Sequence, residues 1–269
     1  NHTVHWDGRD RYDEALPPGR YTWRLAWFDG MGTEFHGSVG NSARPPFRTA
    51  DGRGSMGGQH GGPSVIAADA GGIYIAGGAE EGHPAMRKID RRGYTLWKRS
   101  MGGFGSAMAL ATDDEHAYLV HSPGRGSAGM AVLRLDPKTG REVPLGGERP
   151  RIRIAEDRKQ IGGLAIVGDR AYVSFPAEDR IVVADLGAAS LDGEIEMDRP
   201  LGLACSAGGR LLVCSGDSIK TVDPAGAEVS TVVDGLEEPH GLAVDGEGRI
   251  HVSELGESQR IRIFDGADE

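Results

Sequence analysis

Cysteine is nearly absent, with two residues, Cys205 and Cys214, in a chain of 269. So few thiols exclude a disulfide-stapled miniature fold, and the core must come from packed apolar side chains. Aromatic residues make up only 6%. No apolar run reaches the roughly 20 residues that a membrane-spanning helix needs, so membrane insertion is not expected. No long segment carries the 3.6-residue period of an amphipathic helix. Basic charge is in deficit: 30 Lys and Arg stand against 40 Asp and Glu, for a net charge of −10. Residues 1–48 hold six of each sign, so the acidic excess falls entirely on the remainder. An acidic body repels phosphate backbones and anionic lipid, which sets aside nucleic-acid and membrane-surface binding. The chain also lacks a Gly-x-Ser-x-Gly elbow, a phosphate-binding P-loop, a His-Glu-x-x-His helix and a Cys-x-x-Cys-His haem site. It has no signal peptide and no initiating Met, and reads as a mature or excised piece of something longer.

Glycine is what the chain has in excess, at 43 residues. Such a surplus suits many short strands joined by tight turns. Pro200-Leu-Gly-Leu-Ala-Cys-Ser206, with its partner Leu211–Cys214, recurs about 39 residues later as Pro239-His-Gly-Leu-Ala-Val-Asp245 with Ile250–Ser253. A period near 40 built of strand, turn and strand marks a β-propeller blade, which buries its faces only by stacking on neighbours.

The same grammar repeats upstream. First strands are expected at Val65–Asp69, Ala109–Asp113, Leu164–Val167, Leu203–Ser206 and Leu242–Asp245, and second strands at Ile73–Ala76, Ala117–Val120, Ala171–Ser174, Leu211–Cys214 and Ile250–Ser253. Third strands end in an apolar residue and a turn-capping Asp: Asp90, Asp136, Asp185, Asp223 and Asp265. Gly93, Gly140, Gly187, Gly226 and Gly266 are expected at the positive-φ positions of those turns. The chain is therefore all-β, with five recognisable four-stranded blades over 61–269, the last expected to lack its outer strand. An unpaired blade edge invites self-association or a partner strand. With the hairpin turn centred on Gly208-Gly209, Cys205 faces Leu212 and Cys214 faces Leu203. That makes the thiols diagonal neighbours on one face, farther apart than a disulfide favours.

Residues 1–40 are of another kind. Tyr21, Trp23, Leu25 and Trp27 alternate with smaller or polar residues, giving one heavy aromatic face on a strand launched by Leu16-Pro-Pro-Gly-Arg-Tyr21. The Trp6-Asp-Gly-Arg-Asp10 … Leu16-Pro-Pro-Gly-Arg-Tyr21 pattern resembles the immunoglobulin-like module of flagellar hook-capping proteins, common at the ends of bacterial exported proteins. The resemblance covers part of such a sandwich and implies an exported, extracellular or cell-surface location. Residues 41–60 read as a linker or covering loop.

The last copy, Pro239–Asp245 through Arg260-Ile-Arg-Ile-Phe-Asp265, resembles an NHL repeat, and Leu135-Asp-Pro-Lys-Thr-Gly140 is similar to pyrroloquinoline-quinone-type repeats. Those resemblances imply a propeller that serves as a binding scaffold, a lactonase or a metal-dependent lyase, since the fold alone does not choose among them. Aligned on the first strands, the channel-mouth ring reads Ser64, Met108, Gly162, Leu201 and His240. One histidine among five positions does not supply the convergent ligands of a zinc site. A second ring, at the ends of the second strands, reads Gly77, His121, Phe175, Ser215 and Glu254. From it His121 and Glu254 could join His240 to hold zinc or calcium or to act as an acid/base pair. The expectation is a non-catalytic scaffold without cofactor that binds a protein or glycan, the alternative being a hydrolase or lyase centred on His240.

Overall fold

The computed structural model describes residues 3, 5–9, 14–22, 63–77, 86–100, 106–113, 115–122, 129–223 and 229–266. It is all-β and arranged as a five-blade propeller. Blade 1 comprises β1 (Pro63–Asp69), β2 (Gly72–Gly77), β3 (Met86–Ile89) and β4 (Thr95–Arg99). Blade 2 comprises β5 (Ser106–Thr112), β6 (Ala117–Ser122), β7 (Met130–Leu135), β8 (Glu142–Val143) and β9 (Ile152–Ala155). Blade 3 holds β10 (Leu164–Val167), β11 (Arg170–Phe175), β12 (Arg180–Asp185) and β13 (Ser190–Glu196). Blade 4 holds β14 (Leu203–Cys205), β15 (Leu211–Ser215), β16 (Ser218–Val222) and β17 (Val229–Val233). Blade 5 has three strands among the described residues, β18 (Pro239–Val244), β19 (Ile250–Glu254) and β20 (Arg260–Phe264). Within the blades the described strands pair antiparallel, each with its sequence neighbour except β9, which pairs with β7.

The period-two pattern explains the packing. On β11, Ala171, Val173 and Phe175 enter the cluster shared with blade 2, while Tyr172 enters the cluster shared with blade 4. Both sides of the middle strands are therefore apolar and buried, as stacking on two neighbours demands. Four such clusters fill four seams: blades 1 and 2, 2 and 3, 3 and 4, and 4 and 5. Blade 2 departs from expectation in its outer layer. β8 and β9 pair with opposite ends of β7, and the chain between them makes a 3-10 turn at Gly146–Glu148.

The Asp turns form as side-chain caps. Asp90 Oδ1 accepts from the backbone N–H of Arg92 and Tyr94, Asp136 Oδ1 from Lys138 and Thr139, and Asp185 Oδ1 from Ala188. Gly93 and Gly140 take positive φ, at 87° and 69°. Gly187 and Gly266 do not, and in blade 3 the left-handed residue is Ala189, at φ 52°. Gly226 lies outside the described residues.

The cysteine hairpin is shifted by one residue. Cys205 pairs with Leu211, and Leu203 with Val213, because the turn closes between Ser206 and Arg210 with Gly209 at φ 74°. A one-residue slip sends side chains to the opposite face. Cys205 packs toward blade 3 and Cys214 toward blade 5, both as free thiols.

In the N-terminal portion, Trp6 Nε1 donates to the Arg9 carbonyl, Asp7 Oδ1 accepts from the Arg9 N–H, and the Trp6 and Tyr21 rings meet edge to face at 5.0 Å. The expected Trp23 and Trp27 face, Asp10, and the linker 41–60 lie outside the described residues.

Candidate functional site

The inner strands of all five blades converge on one axial cavity of about 450 Å³. Glycine makes this convergence possible. A Cβ on Gly202 would stand 2.4 Å from the His240 carbonyl oxygen, and one on Gly162 would stand 2.7 Å from Leu201 Cα. Without side chains the inner strands approach closely enough for the Gly202 N–H to donate across the seam to the His240 carbonyl at 2.8 Å.

Four of the five residues read as the channel-mouth ring, Ser64, Met108, Gly162 and His240, line this cavity. Leu201 does not. Its side chain packs into the apolar seam between blades 4 and 5, and Gly202 lines the cavity in its place.

The second ring does not surround the cavity. Gly77, His121, Phe175, Ser215 and Glu254 are all buried within the blades. His121 sits on β6 opposite Ala107 and Ala131. The Glu254 carboxylate accepts from the Glu237 N–H at 2.7 Å and from Arg260 Nε at 2.5 Å. The Arg260 hydrogen bond, with the Glu237 amide, holds Glu254 below the usual glutamate range. It ties β19 to β20 and to the loop before β18, so its lone pairs are committed to structure. His121, Glu254 and His240 are thus not gathered into one site. Among the described residues no group of three or more His, Cys, Asp and Glu side chains is placed to hold a metal ion.

Sequence reasoning missed the polar groups on the open face of β19. His251 and Ser253 both line the cavity. Their signal was period two: with Val252 turned to the blade 4 seam, its neighbours must face the other way. His251 Nε2 lies 2.9 Å from Asp245 Oδ2, and Ser253 Oγ accepts from the Gly241 N–H at 2.8 Å. The His251 contact, joined by Arg249, holds the Asp245 carboxyl well below the usual range. The cavity therefore offers two imidazoles and two hydroxyls on a wall of glycine, Met108 and aliphatic side chains. Its chemistry is hydrogen bonding and apolar contact.

Ile261 also lines the cavity, on a face of blade 5 that is open among the described residues. Ile261 and Ile263 of β20 are 69% and 56% exposed. Their equivalents in blade 3, Ile181 and Val183, are 0% and 7% exposed because blade 4 covers them.

No protein-family model matches the chain, and no curated protein matches it. Solved structures do. A protein of unknown function from Bacteroides caccae superposes with a TM-score of 0.58 at 15% identity, over 77% of this chain and 79% of its own. A gluconolactonase from Xanthomonas campestris superposes with a TM-score of 0.53 at 18% identity, over 74% and 71%. At these identities the likeness is one of fold, and the chain shares with both the architecture of a β-propeller.

Proposed function

We propose that this chain is a non-catalytic binding scaffold, working outside the cell or at its surface, whose propeller presents the open fifth blade to a protein or glycan partner. The observation that carries this reading is the exposure of Ile261 and Ile263 on a face that is buried in the equivalent blade 3. Adjacent exposed apolar side chains on a rigid scaffold are what an interaction surface requires. The cavity suits the same reading, since its polar side chains, Ser64, His240, His251 and Ser253, offer contacts to a bound group.

A second reading, a hydrolase or lyase, is favoured by one observation: His240 and His251 line the same cavity, with Ser64 and Ser253. Two assays separate the readings. Turnover of a panel of lactones and of candidate lyase substrates is measured with and without added zinc or calcium, and bound metal is measured on the purified protein. Background rates and no stoichiometric metal are expected, with His240→Ala changing neither. Turnover abolished by His240→Ala would replace the scaffold with the enzyme.

A further inference from the structure

Seams between blades are closed by different side chains at one level. In blade 1, Tyr74, Lys88 and Trp97 stand side by side across β2, β3 and β4 and face blade 2. The Tyr74 and Trp97 rings meet at 5.8 Å. Just past the Asp136 turn, the Pro137 carbonyl accepts from the Lys88 ammonium at 3.2 Å and from the Trp97 indole N–H at 3.0 Å. The indole leaves no room on that turn, since a Cβ on Gly140 would stand 2.6 Å from its ring.

In blade 4 the same row is Leu212, Thr221 and Ser230, again paired across the second, third and fourth strands. Each is smaller than its counterpart, and Leu212 stands where blades 1, 2 and 3 carry Tyr74, Tyr118 and Tyr172. Between this row and the Asp265-Gly266 turn of blade 5 lies a cavity of about 550 Å³, separate from the axial one. That volume falls within the roughly 300–1,000 Å³ of small-ligand sites. Arg210, Thr221, Ser230, Thr231, Val232 and Asp265 line it. Thr221 is only 4% exposed, and its Oγ1 has no hydrogen-bond partner among the described residues. A buried hydroxyl left unpaired costs stability, which a bound group would restore. The Arg210 and Asp265 side chains also make no hydrogen bond or ion pair among the described residues. At the position of Arg210, blades 3 and 5 carry Arg170 and Arg249, which meet Asp192 and Asp245.

We infer that this hollow between blades 4 and 5 is a binding site for a neutral sugar, one ring of a glycan, with the Thr221 hydroxyl at its floor. The lining carries one positive and one negative group, so a phosphate meets repulsion from Asp265 and a metal cation meets repulsion from Arg210. Thr221, Ser230 and Thr231 each donate and accept at once, and a ring of hydroxyls answers them in kind. Asp265 adds an acceptor and Arg210 a fork of donors, the complement of neighbouring sugar hydroxyls. Val232 supplies apolar contact for the C–H face of the ring. This inference goes beyond the scaffold reading, whose partner sits on the open face of blade 5, and places a ligand of stated chemistry at a different seam.

The test titrates the whole chain with a panel of neutral methyl pyranosides and their α- and β-linked disaccharides, with inorganic phosphate and glycine as charged probes. Calorimetry reads affinity and backbone amide NMR shifts read the place. Saturable one-to-one binding of a saccharide is expected, unchanged as salt is raised, with shifts confined to Arg210, Thr221, Ser230–Val232 and Asp265-Gly266. Thr221→Val keeps the shape and removes the orphan hydroxyl. It should weaken binding roughly three- to tenfold while the melting temperature holds or rises. Ser230→Trp rebuilds the filling of blade 1 and should abolish binding. Binding of no saccharide in the panel, binding of phosphate or glycine instead, shifts at the axial cavity, or full affinity in both variants would each overturn the inference. Such a failure leaves the scaffold reading standing, since that reading stands or falls on the turnover and metal assays with His240→Ala.

Discussion

At the scale of single residues, Gly202 is the exacting position on the cavity wall, where a Cβ would stand 2.4 Å from the His240 carbonyl oxygen. An added methyl at this site meets the backbone of the neighbouring blade, which cannot swing aside as a side chain can. Gly202→Ala should cost about 1–3 kcal/mol through overpacking, read from urea unfolding. Gly246→Ala is the control: a Cβ there meets nothing within 4 Å, and its effect should stay within about 0.5 kcal/mol. A second expectation concerns acid. Glu254 and Asp245 are both held below their ordinary pKa ranges in the folded chain. A carboxylate depressed in this way stabilises the fold fully above its unfolded value, near about 4, and loses that contribution as pH falls further. Melting temperature should therefore be flat near neutrality and drop below about pH 4.5. Glu254→Gln should lower the plateau and shrink the drop, and an unchanged profile would show that Glu254 is not the tie that the geometry makes it. The channel residues were partly legible in the sequence because Ser64, Met108, Gly162 and His240 follow from aligning the first strands. Leu201 was misplaced because alignment counts positions, whereas an apolar side chain goes to the nearest apolar seam. Glu254 looked like a ligand because a sequence displays its charge and hides Arg260, which only the fold brings to it.

At the scale of elements, all five strand triplets were legible, since alternation and Asp turns are local signals. What was not legible depends on choices between near-equal local options. The Ser206–Arg210 turn could close around Gly208-Gly209 in either of two registers, and only burial of Leu211 and Val213 against blade 3 selects one. That choice separates the cysteines onto opposite faces. Burial pushes the Cys214 thiol up to about 12, so at pH 8 it stays protonated and shielded. Native protein should show Cys214 unreactive toward a thiol-specific reagent, with reaction appearing in urea. An intrachain Cys205–Cys214 disulfide after mild oxidation of native protein would refute the register. The divided outer layer of blade 2 had no comparable signal, because β8 is only two residues long.

At the scale of the whole molecule, each apolar cluster among the described residues belongs to a single seam, and none of these four runs through the ring as a common core. Cooperativity in such an array is passed from neighbour to neighbour. Among the described residues, blade 5 is fastened through the seam it shares with blade 4, whereas blade 3 is clamped on both sides. Native-state hydrogen exchange should then grade the molecule: amides of β11 and β12 exchange near the global limit, and those of β19 and β20 through a lower-energy partial opening. Phe175→Ala, in the seam between blades 2 and 3, should cost about 3–5 kcal/mol and lower the global limit. Its effect on the partial opening of blade 5 should be small. A partner held on the open face of blade 5 would act as a clasp on the blade that detaches first. Occupancy would raise the cost of that detachment in proportion to the logarithm of partner concentration, so resistance to proteolysis at the C-terminal blade would report whether the scaffold is engaged.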